Sequence, residues 1–359
     1  MTIPGDTTRR QKQERLFISY IMTYAFAGAL AIGVASVFIL AFGGHIMVAF
    51  RTVLNASFGS GNAVAQALNK FCPLLLGSLS VALGMRGGYF NIGVDGQIYM
   101  GAIGVTAVAF TFQNVGLPRG LFVPLGLLGG IIFGAFWGLI PGFLRVRYKV
   151  SEIFVTVMLN FVALYLVDYL CNGPWNDPLA GEAISLPIPK GSVLPVLMPP
   201  VRAHIGFVLA LAGAGVIAFL ISQTIMGYEI RAVGDNPIAA RFGGININRI
   251  ALITMPICGA LSGLAGAIEV SGFHETLMMG LTGSTGAPNY GAMSVLIAVI
   301  GHRHPLGVII AAGFFTVLLL GSDSLQRSMG LPASAVFVFQ AVIVLVILYV
   351  EAHKNLREK

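Results

Sequence analysis

The feature that most constrains this fold is a series of long apolar stretches without Lys, Arg, Asp or Glu. Residues 17–42 and 120–144 are two of them. A helix of roughly 20 apolar residues crosses a hydrocarbon core about 30 Å thick, and helices satisfy their own backbone hydrogen bonds there. A soluble domain is about 25% charged, whereas this chain of 359 residues is 10% charged and 56% hydrophobic. The sequence therefore predicts an all-α integral membrane protein.

Hydropathy and turn residues predict about ten transmembrane helices. They form one transmembrane domain over residues 17–351, with an N-terminal tail at 1–16 and a C-terminal tail at 352–359. The proline-rich residues 172–203 are predicted to form an irregular external cover. The predicted spans are approximately 17–42, 63–84, 92–112, 121–142, 150–171, 204–224, 250–272, 288–301, 304–321 and 332–350.

The basic residues give the predicted orientation. With the N terminus in the cytoplasm, most Lys and Arg residues fall on the cytoplasmic side, as in other membrane proteins, and the C terminus is cytoplasmic too. The formal charge of +7 therefore indicates topology and not nucleic-acid binding. The predicted cytoplasmic set is Arg9, Arg10, Lys12, Arg15, Arg86, Arg145, Arg147, Lys149, Arg231, Arg241, Arg249, Arg303, Lys354, Arg357 and Lys359. The predicted external set is Arg51, Lys70, Arg119, Lys190, Arg202 and Arg327.

Two patterns describe the interior of the bundle. Glycines recur every four residues from Gly126 to Gly142, a spacing that keeps them near one helix face and favours a close helix–helix contact. A groove that lines a pathway through the bundle is the alternative. Polar residues at membrane depth face protein or a water-filled path, and the polar run after Gly87-Gly88 predicts a discontinuous helix. Pathway lining and structural contact are both open for the polar candidates Asn91, Asp95, Gln97, Asn160 and Glu269.

A short polar segment, RAVGDNPIAARFGG at residues 231–244, carries its own helix signals. Asp235 or Asn236 is predicted to cap a helix that begins at Pro237 and ends before Gly243-Gly244. Ile238 and Phe242 share one face of this helix. So short a helix must rest on the membrane domain or on a partner, and its apolar face suits a groove on a soluble protein. A simple capped turn is the alternative.

Four ordered segments carry a family resemblance: FNIGVDGQIYMGA, SEIFVTVMLN, GYEIRAVGDNPIAARFGGININR and GHRHPLGVIIAAGFF. From about residue 60 to 350 the chain resembles the permease subunits of bacterial ATP-binding cassette (ABC) importers, in the simple-sugar and nucleoside branch. The resemblance implies a multi-pass protein of the bacterial cytoplasmic (inner) membrane, a type II-like importer permease. The predicted spans two to five and seven to ten begin from opposite sides, which suits an inverted repeat. It also implies a coupling helix within the cytoplasmic loop 223–249, and more narrowly 227–249. The coupling residues would be Arg231, Gly234, Asp235, Asn236, Pro237, Ala239, Ala240, Arg241 and Gly243.

The resemblance also implies partners. These are a cytoplasmic ABC ATPase, a second homologous and non-identical permease, an extracytoplasmic substrate-binding protein, membrane lipid and a small-molecule substrate, first a nucleoside and second a sugar. The chain contains no Gly-Lys dipeptide and hence no Walker phosphate-binding loop. We therefore expect no cofactor in this chain and no enzymatic activity of its own, with ATP and Mg²⁺ bound by the partner ATPase.

The main alternative is a secondary transporter driven by an ion gradient. It would need ionisable groups along a relay, for which Asp95, Asp168 and Glu269 are candidates. An intramembrane enzyme is disfavoured, because the chain has no paired-Asp, HExxH or GxSxG motif. His302 and His304 lie beside a proline turn and are interpreted as a short loop between spans.

Overall fold

The computed structural model describes residues 45–115, 118–198, 201–283 and 290–329, with a few isolated positions on either side. The predicted first and tenth spans and both tails fall outside the continuously described residues. Contacts divide the chain into two compact units, one made of Met1–Ala56 with Leu318–Lys359 and the other of Ser57–Val317. In the first unit, Gly321 packs closely against Val53. The sites discussed below lie in the second unit.

The described chain is mostly helical. The α-helices are α1 (Ile46–Phe58), α2 (Gly61–Arg86), α3 (Val94–Phe112), α4 (Arg119–Tyr148), α5 (Glu152–Asn172), α6 (Gly206–Gln223), α7 (Ile225–Asp235), α8 (Pro237–Phe242), α9 (Ile247–Glu269), α10 (Tyr290–Ile300) and α11 (Pro305–Met329). A π-helix, Val270–His274, continues α9, and 3-10 turns occupy Lys190–Ser192 and Met279–Thr282. Helix α1 lies between the predicted first and second spans and was not expected from the sequence.

Within the described residues, six helices are long and apolar enough to cross a membrane: Gly61–Arg86, Gly120–Tyr148, Glu152–Asn172, Gly206–Gln223, Ile247–His274 and Pro305–Ser328. They match the predicted second, fourth, fifth, sixth, seventh and ninth spans. Helix α3 matches the predicted third span, although Asp95 and Gln97 lower its hydropathy. In the predicted eighth span the described helix, α10, has only 11 residues, about 16 Å of rise, or roughly half of the hydrocarbon core.

The most extensive helix contact joins α4 to α9 and confirms the expected helix–helix role of the glycine repeat. A Cβ added at Gly134 would lie 2.6 Å from the Cα of Gly263, and one added at Gly138 would lie 3.0 Å from the Cα of Gly259. Helix α9 contributes its own repeat of Gly, Ala and Met residues at four-residue spacing, and this repeat faces the glycines of α4. Its members are Ala251, Met255, Gly259, Gly263 and Ala267. Two backbones therefore meet directly, as small residues permit in lipid.

Helix α3 begins inside the bundle. The backbone breaks at 87–93 before α3. At Gly77 of α2, a Cβ would lie 3.0 Å from Val94 of α3 and 3.4 Å from the Cβ of Ser294 of α10, so the start of α3 lies beside an internal part of α2. Irregular backbone at membrane depth is tolerated when protein surrounds it. The discontinuous helix expected from the glycine pair is present.

The cover at 172–203, expected to be irregular, contains a short stretch of regular structure. Strand β1 (Val196–Met198) pairs antiparallel with β2 (Val201–His204). Upstream, the N–H groups of Ser185, Ile188 and Leu194 donate to the carbonyls of Leu277, Glu275 and Ser271 at 2.7–2.9 Å. Prolines prevent helix formation here, yet the N–H groups between them still pair with a neighbouring chain segment. The cover is therefore hydrogen-bonded to the end of α9.

Candidate functional site

Helices α7 and α8 form a segment, Ile225–Phe242, that we call the docking segment. The side chain of Thr224 accepts a hydrogen bond from the N–H of Gly227 at 3.0 Å and begins α7. Asn236 ends α7 and caps α8, with its Oδ1 accepting from the N–H groups of Ile238 and Ala239 at 3.0 Å each. The sequence predicted either Asp235 or Asn236 as the N-cap of α8, and in the structure the N-cap is Asn236.

Helix α8 is held at its inner face and displays apolar side chains outward. Ala240 is only 5% exposed, whereas Ile238 is 69% and Phe242 is 90% exposed. Arg241 is exposed beside them. Exposed side chains of this size at four-residue spacing form an apolar ridge, the kind of surface that marks a protein-interaction site.

Helix α7 anchors the docking segment to the bundle. Ile230 and Val233 are buried, and a Cβ at Gly234 would lie 2.8 Å from the carbonyl carbon of Arg86. Only glycine permits this approach. Arg231 and Gly234 are half-buried, and the remaining predicted coupling residues apart from Ala240 are exposed: Asp235, Asn236, Pro237, Ala239, Arg241 and Gly243.

The segments predicted to be cytoplasmic meet at this end of the bundle. Arg86 Nε donates to the carbonyl of Arg303 at 2.9 Å, and the hydroxyl of Tyr89 donates to the carbonyl of Ile247 at 3.2 Å. Arg145 forms an ion pair with Glu152. The docking segment lies against this end of the bundle, where Gly234 of α7 packs on the backbone of Arg86.

Four of the five polar candidates lie around the broken segment 87–93. Asn91 and Gln97 exchange two amide hydrogen bonds of 2.9 and 3.0 Å, and Asn91 also donates to Ser80 Oγ at 3.0 Å. Asn160 accepts from the N–H of Gly96 at 2.8 Å and donates to the carbonyl of Ile92 at 2.9 Å. These side chains satisfy backbone and amide groups that the break leaves without helical partners.

Asp95 connects α3 to α10. Its Oδ1 accepts a 2.8 Å hydrogen bond from the N–H of Gly291 in α10. Asp95 is itself in the first turn of α3 and is buried. A carboxylate is stabilised by the N-terminal end of a helix, so this bond holds α3 against α10.

Glu269 belongs to a different cluster, which sequence reasoning missed. Its Oε1 lies 3.5 Å from the hydroxyl of Tyr290, and its Oε2 lies 3.3 Å from His274 Nε2. Lys70 donates to the same Tyr290 hydroxyl at 2.7 Å. Lys70 and Tyr290 are far apart in the chain and share no motif, so no local signal indicated their contact. Among the described residues, no group of three His, Cys, Asp or Glu side chains is placed to hold a metal ion.

Comparison with known proteins identifies the family. The sequence profile of the branched-chain amino acid transport system permease component matches residues 63–348. The chain belongs to this permease family. It is 32% identical to a glucose ABC transporter permease of Haloferax volcanii over 86% of this chain and 81% of the relative. A guanosine ABC transporter permease of Bacillus subtilis is 29% identical, with coverages of 91% and 93%. A nucleoside ABC transporter permease of Lactococcus lactis is 30% identical, with coverages of 86% and 85%. No solved structure matches significantly.

The chain is therefore a multi-pass permease subunit of an ABC importer in the cytoplasmic membrane. Permease components of this family are parts of ABC transporters, which draw their energy from an ATPase. The alternative of an ion-gradient-driven secondary transporter is not favoured. The roles of the individual coupling and pathway residues stay predictions.

Proposed function

We propose that this permease subunit carries a nucleoside across the cytoplasmic membrane, with a simple sugar as the second candidate, and that a separate ABC ATPase drives it through the docking segment. Two of the three relatives are named for guanosine or nucleoside transport and one for glucose transport. The nucleoside assignment is placed first because the guanosine relative covers 91% of this chain and is itself covered to 93%.

The observation that carries the coupling assignment is the exposed ridge of α8. Phe242 and Ile238 project from a helix whose opposite side is buried through Ala240. Burying a large apolar side chain stabilises a contact by roughly 1.5–3 kcal/mol. A groove on the ATPase that receives both Ile238 and Phe242 would therefore bind α8 tightly. Arg241 adds a positive charge that would pair with a carboxylate at the rim of such a groove.

The proposal includes the arrangement of the complex. A second, non-identical permease completes the pathway, an extracytoplasmic binding protein delivers the substrate, and both termini of a ten-helix chain face the cytoplasm. The predicted spans two to five and seven to ten begin from opposite sides of the membrane, which supports an inverted repeat. ATP binding would favour one of two bundle arrangements through differential contact with the docking segment.

Phe242→Ala tests the coupling step, and Phe219→Ala is its matched control. Both rings are well exposed, 90% and 63%, but Phe219 lies on spanning helix α6. Loss of an aromatic anchor from a binding groove lowers affinity about tenfold or more. We expect Phe242→Ala to lose ATPase co-purification and ATP-driven uptake, while Phe219→Ala retains both. Equal uptake by the two variants would remove α8 from the coupling pathway. Arg241→Glu and Ala240→Leu should also uncouple ATP hydrolysis from uptake.

Proteoliposomes containing the complete complex separate the remaining possibilities. Uptake of labelled guanosine should persist when proton and sodium gradients are collapsed and ATP is maintained. Uptake that stops under these conditions would support the hypothesis of a secondary transporter driven by an ion gradient. Competition by unlabelled nucleosides and not by glucose is the expected pattern, and the opposite pattern would assign the sugar as substrate.

A further inference from the structure

A cavity of about 420 Å³ opens between the ends of α4, α5 and α9. Its lining includes Arg145, Lys149, Ser151 and Asn248. The volume falls in the range of small-molecule sites, about 300–1,000 Å³. The lining combines two cationic side chains with a hydroxyl and an amide, a set of groups suited to the oxygens of a phosphate.

Arg145 is held in place at the wall of this cavity. Its guanidinium lies 4.7 Å from the ring centroid of Tyr89 and pairs with Glu152. Glu152 Oε1 is also within 3.3 Å of the N–H of Phe90. A guanidinium carries five N–H donors, so the ion pair leaves donors available at its other edge. The Arg145 side chain remains 36% exposed.

Tyr89 forms the buried wall beneath Arg145. Burial raises the pKa of Tyr89 to about 12, so its hydroxyl stays protonated at neutral pH and continues to donate to the carbonyl of Ile247. The wall therefore carries no negative charge of its own. Of the acidic and basic residues that line the cavity, Arg145 and Lys149 are cationic and Glu152 is anionic, which leaves a positive balance.

The rim of the cavity continues into apolar surface. Val150 lines it, and the neighbouring side chains Tyr148, Ile153 and Phe154 are exposed. Exposed apolar side chains on a spanning helix face the hydrocarbon, and Tyr rings are enriched where the membrane meets water. A ligand in this cavity would therefore have its charged part against Arg145 and Lys149 and room for acyl chains along the outer face of α5.

We propose that this cavity binds the phosphate group of an anionic phospholipid from the cytoplasmic leaflet. The assignment of leaflet rests on the proposed orientation of the permease. Basic cavities between spanning helices on the cytoplasmic side recognise lipid headgroups in this way. Since Ile247 and Asn248 follow the docking segment after a short connection, a bound lipid would hold the ends of α4, α5 and α9 together beside the coupling helix.

Lys149→Gln and Arg147→Gln form the test pair. Each removes one positive charge from the same exposed stretch at the C-terminal end of α4, but only Lys149 lines the cavity. The full-length chain, purified with its co-expressed partners, is titrated with phosphatidylglycerol or phosphatidylcholine, and bound lipid is counted by native mass spectrometry. One Lys near a phosphate changes affinity about fivefold. We expect Lys149→Gln to weaken phosphatidylglycerol binding by about that factor and Arg147→Gln to leave it unchanged.

Three results would overturn the proposal. Equal losses of phosphatidylglycerol binding in Lys149→Gln and Arg147→Gln would indicate that the lipid is attracted by the positive surface in general and not by this cavity. Equal binding of phosphatidylcholine would show that the negative charge of the headgroup is not recognised. Full competition by glycerol 3-phosphate would assign the cavity to a soluble phosphate compound. Labelling the thiol of an Arg147→Cys variant from one side of sealed vesicles reports the orientation independently, so failure of the proposed topology is distinguished from failure of the lipid site.

Discussion

Replacing Gly134 by Ala tests how closely α4 and α9 must approach one another. The added Cβ would lie 2.6 Å from the Cα of Gly263, whereas an ordinary contact begins at 3.4 Å. Because the neighbouring atoms are backbone, the helices must separate locally by about 0.8 Å, the difference between these two distances. A gap of 0.5–1 Å forfeits about a quarter to a half of each dispersion contact. Overpacking of this kind costs typically 1–3 kcal/mol.

The matched control is Gly215→Ala in spanning helix α6. Nothing lies within 4 Å of the Cβ that would be added there, so this change tests only the higher helix propensity of Ala, a gain of roughly 0.5–1 kcal/mol. Unfolding of the purified permease in mixed detergent micelles, followed by loss of helical circular dichroism, gives a midpoint for each variant. We expect Gly134→Ala to unfold at lower denaturing-detergent content and Gly215→Ala at unchanged or higher content. Equal midpoints would refute the close-contact argument.

Substitutions at three further contacts test the caps and buried polar groups. Asn236→Ala should destabilise α8 by about 1 kcal/mol and reduce ATP-driven uptake, while Asn236→Asp restores the cap and the uptake. Burial lowers the pKa of His204 against an opposing effect of Glu269, and its Nδ1 accepts from Gly206. As pH falls, the His204 imidazole therefore binds a proton in the unfolded chain before it does so in the folded chain, which destabilises the fold. Gln does not titrate, so the His204→Gln variant should lose less thermal stability than the native chain when the pH falls below the unfolded-state pKa of histidine. Asn91→Leu alone should lower the free energy of unfolding by about 1–3 kcal/mol, because it leaves the amide of Gln97 unpaired. Adding Gln97→Leu should recover part of that loss. Fully additive losses from the two substitutions would contradict the reciprocal amide pair.

Local rules anticipated the parts of the structure that depend on neighbouring residues. The apolar stretches became spanning helices because backbone groups in lipid must pair within a helix. The four-residue glycine repeat predicted a close helix contact because that spacing selects one face of α4. The cap, the proline start and the exposed Ile238 and Phe242 of α8 all follow from residues 235–244. Each of these signals lies within one continuous stretch of the chain, so it can be read from the sequence alone.

Long-range contacts were decided only by the tertiary structure. The glycine spacing determined that α4 has one flat face. It did not show that α9 would pack there, because the α9 repeat contains Met255 and is less regular. Likewise, Glu269 was visible as a polar residue at membrane depth, while its neighbours Lys70 and Tyr290 come from helices far along the chain. The hairpin of β1 and β2 and the cavity at Arg145 and Lys149 arise in the same way. Such contacts depend on which helix faces meet when a whole bundle packs, and spacing along one chain segment carries no record of that choice.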